Sequence, residues 1–173
     1  MKLTSVPAPS YITYPANGST KDAVLILTDM LGHRSTNIQL LADEFTAHGY
    51  LCVVPDLFHG NPFPLNGIEQ DSATVAESIM GQIASRKIEN DEWAHTHPTE
   101  RVDPVIESVI EVMRTEMGVE SIGGVGYCFG GKYVARFLKP GKLDVGYIAH
   151  PSFLSMEELG GIAGPLSIAA AGK

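Results

Sequence analysis

Apolar residues fall in short blocks, the most continuous being Ala23–Thr28 (AVLILT), with Tyr50–Pro55 (YLCVVP), Ser121–Tyr127 (SIGGVGY), Leu143–Ala149 (LDVGYIA) and Pro165–Ala171 (PLSIAAA) beside it. Blocks of this length without alternation predict strands buried on both faces of a parallel sheet. Ser10–Tyr14 predicts a shorter first strand, and Pro15–Lys21 a turn. Between the blocks the apolar period lengthens to that of a helix. Ile38, Leu41, Ala42 and Phe45 share one face of a helix over Thr36–His48, capped by Ser35 or Thr36 and stopped by Gly49. Val105, Ile106, Val109, Val112, Met113 and Met117 form a stripe along a helix over Thr99–Met117, with Pro104 in its first turn and Gly118 at its end. Helices are also predicted over Lys132–Lys139, before Pro140, and over Ser155–Leu159.

Alternating strands and helices imply an α/β fold, doubly wound around a mostly parallel sheet. In such sheets chemistry gathers at the carboxyl ends of the strands. Asp29, Asp56, Cys128 and His150 all follow predicted strands. The segment 61–98, which carries Trp93, has the weakest pattern. Its length and position between core elements suit a lid or pocket wall.

Length, charge and cysteine content narrow the picture. A chain of 173 residues fits one domain, 1–173. No apolar run approaches the ~18 residues of a membrane span, and Met1–Tyr14 lacks the apolar core of a signal peptide. The expectation is a cytoplasmic protein. The net charge of −8 argues against nucleic acid and anionic membrane as partners. Cys52 and Cys128 are too few for a disulfide framework. Cys52 lies in an apolar run and reads as a buried small hydrophobe. His95 and His97 lack a third ligand and are assigned to the surface or lid, so no metal or organic cofactor is expected.

The stretch Gly126-Tyr127-Cys128-Phe129-Gly130-Gly131 carries the candidate chemistry. A cysteine between glycines at a strand-to-helix turn has the pattern of a nucleophile elbow, with sulfur in place of serine. A Cβ at Gly126 or Gly130 would collide where strand and helix cross. The helix N-terminus is expected to lower the thiol pKa, and the Phe129 N–H can hold an oxyanion. Asp29 follows an apolar strand, where a carboxylate must be solvated or paired. It is either a catalytic carboxylate near Cys128 or a turn residue. The Met30 N–H is the second oxyanion candidate. His150 is either a base or pocket residue, or a strand-end histidine bonded to backbone. Asp56 reads as a turn residue. The alternative to an enzyme is a non-catalytic α/β scaffold that keeps the elbow as structure.

TDMLG (Thr28–Gly32), YLCVVPDLFHG (Tyr50–Gly60), VGYCFGGK (Val125–Lys132) and HPSF (His150–Phe153) together resemble the dienelactone hydrolase family, a cysteine branch of the α/β-hydrolases. The resemblance runs from about Tyr11 onward. It implies an esterase or lactonase acting on a small-molecule substrate through a Cys–His–Asp triad. It implies that a carboxylate at Asp29, usually Glu in the family, contacts the Cys128 thiol. It also implies an oxyanion hole from the Met30 and Phe129 amides. By the family pattern the triad acid would come just after Lys173 and the histidine later still, so the expectation is a chain truncated before both. Such a chain would be weakly active or inactive, and its C-terminal sheet edge would be free to self-associate. A natural short form that has lost catalysis or recruited His150 is the alternative.

Overall fold

The computed structural model describes residues 7–63, 81 and 92–170. The elements are β1 (Ser10–Thr13), β2 (Asp22–Leu27), α1 (Thr36–Ala47), β3 (Leu51–Pro55), α2 (Glu92–His95), α3 (Thr99–Thr115), β4 (Ser121–Tyr127), α4 (Phe129–Phe137), β5 (Val145–Ala149), α5 (Met156–Gly160) and β6 (Leu166–Ala169). The strands form one sheet in the order β1-β3-β2-β4-β5-β6. β1 pairs antiparallel with β3, and every other pairing is parallel. This is the doubly wound α/β arrangement, with chain reversal around β2 and β4.

Side chains alternate across the pleat, which splits each strand between two cores. Ala23, Leu25, Leu27, Leu51, Val53, Ile122 and Ile148 face α3 and α4, joining Val102, Ile106, Val109, Tyr133 and Phe137. Val24, Ile26, Cys52, Val54 and Val125 face α1, joining Ile38 and Ala42. The blocks are unbroken in sequence because both faces are covered. Cys52 is fully buried, as its apolar setting predicts. Ile168, on the outer strand β6, is half exposed.

Two local expectations are corrected. Pro104 is the sixth residue of α3 and lies inside the helix. The helix begins at the predicted Thr99, after Pro98 in the cap position with extended backbone, so Pro104 falls past the first turn. The nucleophile helix starts earlier than Lys132: its first residue is Phe129. The lid expectation over 61–98 falls largely on residues 64–80 and 82–91, which lie outside the described residues. No helix among the described residues is long and apolar enough to cross a membrane.

Candidate active site

Cys128 is the single residue between β4 and α4. Its φ of 49° and ψ of −110° are strained for a residue with a side chain, at a cost of about 1–3 kcal/mol. Backbone hydrogen bonds hold it there. The Cys128 N–H donates to the Ala149 carbonyl at 3.1 Å, and the Cys128 carbonyl accepts from Gly131 N–H at 3.1 Å and Ser152 N–H at 3.0 Å. The glycines have steric reasons. A Cβ on Gly126 would stand 2.6 Å from the Gly130 carbonyl oxygen, and one on Gly130 would stand 1.9 Å from the Leu27 carbonyl oxygen. The start of α4 is thus pressed against the end of β2.

Cys128 is 4% exposed. Its Sγ lies 3.1 Å from Ser152 Oγ. Burial pushes the thiol pKa up, and the nearby Asp29 charge adds to this. The Ser152 hydroxyl and the Phe129 amide oppose the rise without cancelling it. The sequence-based expectation of a lowered pKa is therefore corrected. Desolvation of the sulfur outweighs the helix N-terminus, and the resting thiol is neutral.

Asp29 sits two residues beyond β2. Its Oδ1 accepts the Leu31 N–H at 2.9 Å, so the carboxylate braces its own turn. Burial raises its pKa, against the Leu31 N–H and the charge of His150. Its link to Cys128 is electrostatic, while the sulfur's side-chain hydrogen bond goes to Ser152. Between Asp29 and β2 lies Thr28, fully buried, whose hydroxyl has no hydrogen-bond partner among the described residues. Met30 is also buried, and its carbonyl accepts from Phe63 N–H at 2.8 Å.

His150 follows β5 with φ 39°. Its backbone N–H donates to the Ala169 carbonyl at 2.8 Å. Its ring is exposed and faces Tyr127, with centroids 6.4 Å apart. It reaches the site through its electrostatic effect on Asp29. The structure thus gathers Asp29, Cys128 and His150 at the carboxyl ends of β2, β4 and β5.

Trp93 stands further back. It is buried in α2, donates its indole N–H to the Asn61 carbonyl at 2.8 Å, and packs 5.9 Å from Phe129 and 5.2 Å from Phe58. It backs the Phe129 side chain instead of lining an open rim. His97 is buried too, against its assignment to the surface or lid. Its Nδ1 lies 2.9 Å from the Trp93 carbonyl and its Nε2 3.4 Å from the Phe58 carbonyl. An adjoining pocket of about 320 Å³ is lined by Ala94, His95, His97, Phe129, Lys132 and Phe153, among others. Asp56 is the turn residue its sequence suggests, accepting Phe58 N–H at 3.0 Å and Gly60 N–H at 2.6 Å. It also approaches buried His33, at 3.6 Å. Burial lowers the His33 pKa, partly offset by Asp56.

Ser152 is the contact that sequence reasoning missed. Its signal lay in the HPSF segment after β5. Nothing in one-dimensional spacing shows that the loop folds back over the elbow.

The sequence model of the dienelactone hydrolase family matches residues 9–173. The chain is 48% identical over 163 residues to Hydrolase tropI of Talaromyces stipitatus, covering 94% of this chain and 61% of that protein. It is 44% identical over 165 residues to Hydrolase pyvD of Aspergillus violaceofuscus, covering 95% and 60%. The chain therefore spans about three fifths of the length of these relatives. The solved structure named m3DLH superimposes with a TM-score of 0.58 at 15% identity, covering 94% of this chain and 62% of that one. At that identity the likeness speaks for the fold.

Proposed function

Since the chain belongs to the dienelactone hydrolase family, we propose that its chemistry is hydrolysis of a small carboxylic ester or lactone, with Cys128 as nucleophile. The observation that carries this reading is the strained Cys128 backbone, φ 49°, at a strand–helix turn whose glycines admit no Cβ. A buried structural cysteine gains nothing from that strain. A nucleophile gains a sulfur held at the strand ends beside the Phe129 amide at the helix N-terminus.

Cys128 Sγ attacks the carbonyl carbon, the ester C–O bond breaks, the alkoxide leaves as the alcohol with the proton taken from the thiol, and the thioester that remains is later cleaved by water to the acid and free thiol. The amides of Phe129 and Met30 hold the oxyanion. The close packing of Gly130 on Leu27 supports this, because it draws the start of α4 toward the loop after β2. The neutral resting thiol needs a base. Asp29, whose burial makes it more basic than an ordinary carboxylate, is the acceptor we assign for the thiol proton. His150 tunes it from the solvent side. The aromatic wall of Phe129, backed by Trp93, borders the substrate.

Burst kinetics test this. Mixed with p-nitrophenyl acetate, the chain should release up to one p-nitrophenolate per molecule, and Cys128→Ala should release none above background. Release that persists in Cys128→Ala overturns the assignment.

A further inference from the structure

Ser152 touches the reacting sulfur from the loop that follows β5. Two contacts fix it there. Its backbone N–H donates to the Cys128 carbonyl at 3.0 Å, and its Oγ lies 3.1 Å from Cys128 Sγ. The loop is held in place at some cost. His150 and Phe153, on either side, have φ of 39° and 58°, each strained for a residue with a side chain. Pro151 lies so close to α4 that a Cβ on Gly131 would stand 2.9 Å from its Cβ. The paired glycines of the elbow thus serve two neighbours: Gly130 admits β2, and Gly131 admits the Ser152 loop.

A serine hydroxyl can donate or accept, but a thiolate can only accept. Hydrogen bonds to a charged acceptor are stronger than neutral ones. A hydroxyl at this position therefore favours the thiolate over the thiol. We propose that Ser152 is a catalytic residue whose hydroxyl donates a hydrogen bond to the Cys128 thiolate, stabilising the nucleophilic form in a site that otherwise disfavours charge. The hydroxyl keeps its own proton throughout. The opposing pushes on the thiol, burial and Asp29 against Ser152 and Phe129, agree with this balance. The inference rests on Cys128 being the nucleophile.

Carbamidomethylation of Cys128 by iodoacetamide, followed by peptide mass spectrometry from pH 6 to 10, tests it without needing turnover. Ser152→Ala removes the hydroxyl but leaves the backbone bond to Cys128. Its labelling should be about ten-fold slower at each pH below the midpoint, with the profile moved up by about one pH unit. Ser152→Thr should keep the wild-type profile, and the near-isosteric Ser152→Val should follow Ser152→Ala. That pair separates the hydroxyl from packing, and circular dichroism checks the fold. Superimposable profiles for wild type and Ser152→Ala, or equal behaviour of the Thr and Val variants, overturn the proposal. A wild-type Cys128 that labels at no pH overturns instead the nucleophile reading beneath it.

Discussion

Two opposite demands meet at the Cys128 sulfur. Excluding water favours the neutral thiol, while attack on a carbonyl needs the thiolate. The Asp29 charge adds to the first demand. Asp29→Asn keeps an oxygen to accept the Leu31 N–H but removes that charge. Iodoacetamide labelling of Cys128 at neutral pH should then rise roughly three-fold, as for about half a pH unit. Ester acylation should fall, because the proton acceptor is gone. A parallel rise in both would show that Asp29 acts on the thiol by charge alone. The strained turn at Cys128 was legible from sequence because glycine spacing reports backbone geometry. The direction of the thiol pKa was not, since desolvation depends on what packs over the sulfur. The Ser152 contact likewise depends on a loop that closes across 24 residues of sequence.

Strands and long helices followed directly from pattern. The blocks AVLILT and YLCVVP name β2 and β3 because both faces of these strands are buried. The start of α3 was legible, since it begins at the predicted Thr99; that of α4 was not, since it begins at Phe129 and not at Lys132. Pro104 lies past the first turn of α3, where tertiary packing of Val102 and Val105 onto the sheet offsets the lost backbone bond. Close approach between elements gives a sharp contrast in stability. Gly130→Ala drives a Cβ into the Leu27 backbone and should destabilise by about 3 kcal/mol or more. Gly160→Ala meets nothing within 4 Å, lies in α5, and should be neutral or stabilising by up to ~1 kcal/mol. Chemical denaturation of both variants measures the difference.

Cys52, on β3 and packed toward α1, gives a pH dependence at the same scale. Burial raises its thiol pKa to about 12. A raised folded pKa contributes stability that is fully present below the unfolded thiol value and is lost as pH rises through the folded one. Wild-type stability should therefore fall from about pH 9 toward 12 more steeply than that of Cys52→Ala, by about 1.4 kcal/mol per pH unit. Parallel slopes in urea denaturation would show that Cys52 does not drive the alkaline loss.

Across the whole molecule, one sheet brings three loops from distant parts of the chain to a common edge: Asp29 after β2, Cys128 after β4, and His150 with Ser152 after β5. Fold and family were legible from sequence because both rest on repeated local signals. The neighbours of the Cys128 sulfur were only partly legible, because loop conformation decides which strand-end residue reaches it. If this edge makes Cys128 a nucleophile toward esters, intact-mass and peptide mass spectrometry after exposure to p-nitrophenyl acetate will find one acetyl group as a thioester on Cys128, labile to hydroxylamine, with Cys52 unmodified and no adduct in Cys128→Ala. An acetyl group found on other residues with Cys128 left untouched would contradict it.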